Sequence, residues 1–251
     1  MIKRDKQILC IKHVFKDVQS ITVPAVSGFV HNVYIVKSAD KKYICRFSDK
    51  TTAEHNFRIS KLLLSYNINV PDISINKFGD MYYEVYPFIK GKTLHERILE
   101  GMSDEAKDKV YEQLFNLSYR IAAVQYEPNS IPRNNNILAK IVTKTFDKLN
   151  AHETKVLTHT DLNAKNIILD EEDNISALLD LDSITDRSFS AAFVSMISCA
   201  KAAGYTPKKI IKRYAETTPQ SIISINKQIF IHYLLRRLHR MCKHILKSRN
   251  K

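Results

Sequence analysis

Tryptophan is absent from these 251 residues, and glycine is scarce, with five copies beside seven prolines and four cysteines. Without Trp the chain lacks the best aromatic platform for caging a quaternary ammonium. With so few glycines, a G-x-G-x-x-G phosphate loop is excluded. No apolar run approaches the ~20 residues of a membrane-spanning helix. The opening Met-Ile-Lys-Arg-Asp-Lys has neither the apolar stretch nor the small-residue cleavage site of a signal peptide. Cys10, Cys45, Cys199 and Cys242 form no CxxC pair and sit beside no histidine cluster. They read as buried thiols in a reducing, cytoplasmic compartment. Acid is also missing locally: residues 208–251 carry twelve Lys and Arg against a single acid, Glu216, within a chain of formal net charge +13. A basic end of this kind suits a solvated helix face, nucleic acid or an anionic surface.

What is present is ordinary for a globular protein, at 44% hydrophobic and 26% charged residues. The length allows one domain, or two lobes sharing a cleft. β-Branched and aromatic runs over 21–26, 33–36 and 43–47 predict consecutive strands, with a polar turn at Lys37–Lys42. Thr51 followed by Glu54 reads as a capping box opening a helix that carries Phe57, Leu62, Leu63 and Tyr66. Two more strands, 73–76 and 81–86, flank Phe78-Gly79-Asp80. Helical pattern runs from Thr93-Leu94 to about residue 150, interrupted at Pro128–Asn136. Short β runs at 155–158, 166–169 and 175–181 break it, and helices follow over 190–203, 207–216 and 219–247. The fold class is therefore α+β, with a small β-rich lobe at 1–88 and a larger, mainly helical lobe at 89–251.

The most informative stretch is 156–182, which contains His159-Thr-Asp161-Leu-Asn-Ala-Lys-Asn166 and, fourteen residues later, Asp180 at the end of an apolar run. Phosphoryl transfer needs this kit: a carboxylate to accept the attacking hydroxyl's proton, and an amide plus a second carboxylate to hold magnesium on the phosphates. Asp161 is the candidate base, with Asn166 and Asp180 as candidate Mg2+ ligands. His159, counted with the catalytic group, is placed to orient the loop by hydrogen bonding.

These residues resemble the catalytic and metal loops of the aminoglycoside phosphotransferase/choline kinase-like family, relatives of the protein kinases, which carry His-x-Asp-Leu-x3-Asn followed by an Asp in an apolar strand. The resemblance implies a bilobal protein kinase-like fold with a small antiparallel-sheet N-lobe and a mainly helical C-lobe. It implies ATP or GTP as donor, with Mg2+. Ser27 and Gly28 stand where that family covers the phosphates. Arg46 stands at the strand position of the phosphate-holding base, where choline-kinase-like members often use Arg. Glu54 matches the helix acid that pairs with that base. Tyr86-Pro87-Phe88-Ile89-Lys90-Gly91 resembles the hinge, so the Pro87 carbonyl and the Ile89 N–H are expected to meet the nucleotide base. Asp182 stands where choline-kinase-like members often carry an acid.

The acceptor is less legible. A small-molecule alcohol fits the family, whether choline-like, a sugar or an amino-alcohol. Polycationic acceptors want a carboxylate-lined pocket, which the basic C-terminal segment argues against. Tyr205, Tyr214 and Tyr233 are the aromatics able to contribute a cage, though at helical positions such residues pack in cores. Alternatives are a minimal protein kinase acting on a protein hydroxyl, and a catalytically inert kinase-shaped module with a nucleic-acid-binding tail.

Overall fold

A computed structural model describes residues 3–24, 32–127, 154–217 and 225–231. The chain divides into two compact units: residues 1–91 with 176–182, and residues 92–175 with 183–251. The first unit thus takes in a seven-residue segment from the middle of the lobe expected to begin at residue 89.

The first unit is built on a five-stranded antiparallel sheet ordered β1-β2-β3-β5-β4. Its strands are β1 (Val18–Thr22), β2 (Val33–Ser38), β3 (Lys41–Ser48), β4 (Ser74–Phe78) and β5 (Met81–Pro87). Ala39 and Asp40, both at positive φ, make the two-residue loop that joins β2 to β3. Left-handed backbone at both central positions is what a tight hairpin requires, because it matches the right-handed twist of the strands. Alternation along β2 and β3 places Tyr34, Val36, Cys45 and Phe47 on one face, where they bury with Tyr83 of β5.

Helix α1 (Lys3–Val14) covers the same core with Cys10 and Ile11. No sequence signal announced it. Its buried face includes a polar residue, Gln7, whose Oε1 accepts a hydrogen bond from Tyr34 Oη at 2.9 Å, while Leu9 is left exposed. Helix α2 (Lys50–Ser65) packs on the sheet through Ala53, Asn56, Ile59 and Leu63. Its cap differs from the one expected. Asp49 is the N-cap and accepts from the Thr52 N–H at 2.9 Å and the Thr52 hydroxyl at 2.8 Å. Starting the helix at Lys50 moves Glu54 out of the capping position and onto the exposed surface.

In the second unit, β6 (Lys92–Thr93) pairs with β8 (Ile167–Leu169), and β7 (Lys155–His159) pairs with β10 (Ile184–Ser188). β9 (Ile175–Leu178) runs from this unit into the first. Thr93 caps α3 (Leu94–Leu99) in a full capping box with Glu96. Ser103 caps α4 (Asp104–Ala122), with acids Asp104 and Glu105 in its first turn facing the helix dipole favourably. Around Phe115 of α4, an aromatic core forms with Phe189 and Phe193 of α5 (Phe189–Ala202) and Tyr214 of α6 (Lys208–Thr217). Tyr214 stacks on Phe193 with centroids 3.8 Å apart and shares a 2.6 Å hydrogen bond with Ser190. Phe115→Ala is expected to destabilise this unit by about 3–5 kcal/mol, because the cavity cannot collapse between the three remaining rings. A denaturant midpoint close to wild type would contradict that.

The basic face of α6 is largely occupied with local acids. Lys209 pairs with Asp108 of α4 at 3.1 Å, Arg213 pairs with Glu112 of α4, and Lys212 lies 4.0 Å from Glu216. Residues 225–231 are helical, with Ile225 and Ile229 buried; Tyr233 and the other residues of the 219–247 expectation lie outside the described residues. Cys10, Cys45 and Cys199 are buried, and Cys242 lies outside the described residues. Among the described residues no helix is long and apolar enough to cross a membrane.

Candidate active site

The loop from His159 to Asn166 joins β7 to β8, and main-chain hydrogen bonds hold it at every turn. Thr160 donates to the Ser183 carbonyl twice, from its N–H at 2.9 Å and from its hydroxyl at 2.8 Å. The Ser195 hydroxyl of α5 donates to the Thr160 carbonyl at 2.7 Å. His159 is buried, and its Nδ1 accepts from the Asp161 N–H at 3.2 Å, which assigns the ring proton to Nε2. The Asp161 carbonyl accepts from the Asn163 N–H at 2.8 Å and from Asn166 Nδ2 at 2.9 Å. With the Asn166 nitrogen turned into the loop, Oδ1 is the atom able to take a cation. The carboxylate of Asp161 receives Asn163 Nδ2 at 2.9 Å on Oδ2. Sequence reasoning did not single out Asn163, Thr160 or Ser195. Their roles depend on the β7–β10 ladder and α5, elements that no local pattern connects to the motif.

The first unit holds the other half of the expected chemistry. Arg46 of β3 places Nη2 at 3.0 Å from Asp182 and Nη1 at 3.8 Å from Asp180. Asp180 sits at φ 63°, a left-handed conformation that a non-glycine residue adopts only at a cost. Two bonds of the first unit fix this segment from outside: the Leu178 N–H donates to the Asn69 carbonyl at 3.1 Å, and His55 Nε2 of α2 lies 3.2 Å from the Leu181 carbonyl. Burial opposes the charge on Asp182, but a hydrogen bond shared with Asp180 and the Arg46 guanidinium outweigh it and hold the carboxyl below the usual carboxylate range. Burial likewise opposes the Arg46 charge, and Asp182, Glu84 and Asp180 together raise its pKa regardless.

A lowered folded-state pKa means that Asp182 contributes stability above its unfolded value, near 3.9, and loses it as the pH falls through the folded value. The melting temperature is therefore expected to drop on acidification below about pH 4, and to drop less steeply in Asp182→Asn. Parallel curves for the two proteins would contradict the pairing.

Glu54 is not the partner of Arg46. It lies 3.7 Å from Lys50, one turn earlier on α2, with its side chain 47% exposed. The acid opposite Arg46 comes instead from the neighbouring strand, where Glu84 of β5 is its cross-strand partner. Pro87 ends β5, and the Phe88 N–H that follows it donates to the Lys42 carbonyl at 2.9 Å, so the hinge-like segment is tied to β3. Ile89 is half-buried. Ser27 and Gly28 lie outside the described residues. Tyr205 stacks on Tyr111 and bonds Asp108, and Tyr214 is buried in the aromatic core, so both are structural rather than parts of a cage.

Among the described residues, no group of three or more His, Cys, Asp or Glu forms a self-contained metal site. Magnesium binds through one or two protein oxygens and takes its remaining partners from phosphates and water. The Asn166 amide oxygen and the Asp180 carboxylate are each hard oxygen donors, the ligand chemistry that magnesium takes.

The whole-chain architecture has clear counterparts among solved structures. APH(2'')-IIIa, solved with GDP and kanamycin, matches with a TM-score of 0.68 at 14% identity, over 99% of this chain and 93% of that one. A spectinomycin phosphotransferase solved with ADP and spectinomycin gives 0.62 at 16% identity, over 93% and 84%. A choline kinase from Streptococcus pneumoniae gives 0.58 at 15% identity, over 95% and 92%. The chain has the kinase-like fold of these phosphotransferases. At such identities the likeness is one of fold. No family profile and no curated protein matches the sequence.

Proposed function

We propose that this protein is an ATP- or GTP-dependent phosphotransferase that moves the γ-phosphate to a hydroxyl of a small molecule. The observation that carries the reading is the Asp161 loop. Its main chain is pinned by hydrogen bonds on both sides, while its acid and amide stand at the spacing phosphoryl transfer requires. Asp161 accepts the proton of the attacking hydroxyl as its oxygen bonds the γ-phosphorus and the bond from that phosphorus to the β–γ bridging oxygen breaks, releasing the nucleoside diphosphate. Arg46 binds phosphate oxygens through its planar fork, in exchange for its present carboxylate partners. Asn166 Oδ1 and the Asp180 carboxylate would hold Mg2+, which would neutralise charge on the phosphates. His159 and Asn163 orient the Asp161 loop. Main-chain groups at Pro87 and Ile89 take the nucleotide base. Solved neighbours carrying GDP or ADP agree with a purine nucleotide donor.

The acceptor is an uncharged or singly charged alcohol, such as a sugar or an amino-alcohol. Tyr205 and Tyr214 being structural removes two candidate walls of a choline cage, and the basic C-terminal segment disfavours a polycation.

Thermal unfolding with nucleotide and magnesium tests the donor half. At about 100-fold excess over Kd, ligand binding stabilises by about 2.7 kcal/mol, which raises the melting temperature by several degrees. Arg46→Ala is expected to weaken nucleotide affinity about 10–100-fold, the worth of one or two charge-assisted hydrogen bonds. An unchanged Kd would remove Arg46 from the site.

A further inference from the structure

Glu84 is a carboxylate with no exposed surface, in the middle of β5. Ser48 Oγ donates to its Oε1 at 2.9 Å, and Asn56 Nδ2 of α2 lies 3.1 Å from both of its oxygens. Burial pushes its carboxyl up, while Arg46 and these hydrogen bonds work the other way. The arrangement is not the one that packing alone favours. Asn56 Oδ1 is buried with no hydrogen-bond partner among the described residues. A glutamine at position 84 has the same shape and can still accept from Ser48 and Asn56 through its carbonyl oxygen. It also carries no charge to desolvate. The chain instead carries the more costly acid, directly across the β3–β5 ladder from Arg46.

We infer that Glu84, braced by Asn56, is the positioning residue for the phosphate-binding arginine, filling the place that Glu54 leaves vacant by facing outward. The inference rests on the proposed nucleotide site. Helix α2 acts on Arg46 through a relay: Asn56 holds the Glu84 carboxylate, and Glu84 supplies a fixed negative charge behind the guanidinium. When nucleotide phosphates draw the guanidinium away from Asp180 and Asp182, Glu84 is the acid that stays with it. The adjacent residue His55 holds the Leu181 carbonyl between those two aspartates, so the dipeptide His55-Asn56 grips both sides of the cluster. A single helix glutamate would touch one side only.

The test is a double-mutant cycle on nucleotide binding, with magnesium–ATP and magnesium–GTP titrated calorimetrically into full-length wild type, Glu84→Gln, Arg46→Ala and the double variant. Glu84→Gln is expected to weaken binding about tenfold, one charge-assisted interaction's worth, at an unchanged or raised melting temperature. In the Arg46→Ala background the same change is expected to cost less than about twofold, the scatter of independent sites. Equal losses in both backgrounds, or no loss in either, would overturn the inference and leave the nucleotide site standing. Failure of wild type to bind either nucleotide would overturn the site and the inference together. Should Glu84→Gln not fold, Ser48→Ala removes one donor from the same carboxylate and is expected to weaken binding about threefold, again only when Arg46 is present. A loss independent of Arg46 would count against the relay.

Discussion

Asp161→Ala is expected to lower kcat about 10³-fold while leaving nucleotide affinity and melting temperature near wild type. General-base catalysis is worth about 10²–10⁴ in rate, and a hydroxyl at neutral pH is a poor nucleophile without it. The fold should tolerate the change because the loop is held by its main chain. The Asp161 N–H bonds to His159, its carbonyl takes Asn163 and Asn166, and Thr160 is clamped by Ser183 and Ser195. None of these bonds uses the carboxylate. The bond from Asn163 Nδ2 that does is at a half-buried position, where water can take its place in the variant. Single-turnover rates and nucleotide Kd values measured side by side check this. Full activity would dismiss Asp161 as the base.

The second large effect is at Asp180. Asp180→Ala is expected to reduce activity by about 10³-fold or more, the several kcal/mol of charge neutralisation that a bound magnesium supplies, and to abolish the magnesium dependence of nucleotide affinity. Asp182→Ala at the neighbouring acid keeps Asp180 and is expected to cost far less. Its removal also releases Arg46, which loses its 3.0 Å partner. Because Asp180 holds a left-handed backbone, Asp180→Gly separates side chain from strain. It relieves the conformation, and activity should still be lost. Recovery in Asp180→Gly would place the effect in the backbone instead.

Much of the arrangement was legible in the sequence wherever the physics is local. The hairpin strands followed from β-branched alternation and a polar turn, and the β runs expected at 155–158, 166–169 and 175–181 appear as β7, β8 and β9 within a residue or two, except that β9 stops at Leu178. The motif spacing, an acid and an amide five residues apart between two strands, is itself local, which is why it could be found. What escaped depends on tertiary partners. α1 was invisible because Gln7 occupies its buried face, satisfied by a tyrosine 27 positions away. β10 pairs with β7 across a long separation and carries no alternation of its own. Glu54 misled because Thr51-x-x-Glu54 imitates a capping box. Asp49, two residues earlier, captured the helix start and turned Glu54 outward. Glu84 sits in a strand of three tyrosines and a valine, where nothing local distinguishes a buried acid from an exposed one.

The most direct test of the central claim is transfer of labelled γ-phosphate from ATP and from GTP, with and without magnesium, to a panel of small alcohols and to the proteins of a cell lysate. The reading predicts magnesium-dependent labelling of a small-molecule hydroxyl that Asp161→Ala and Asp180→Ala both abolish. Labelling confined to protein would move the acceptor to a protein hydroxyl and contradict the small-molecule assignment. No transfer and no hydrolysis from either nucleotide would contradict the phosphotransferase itself.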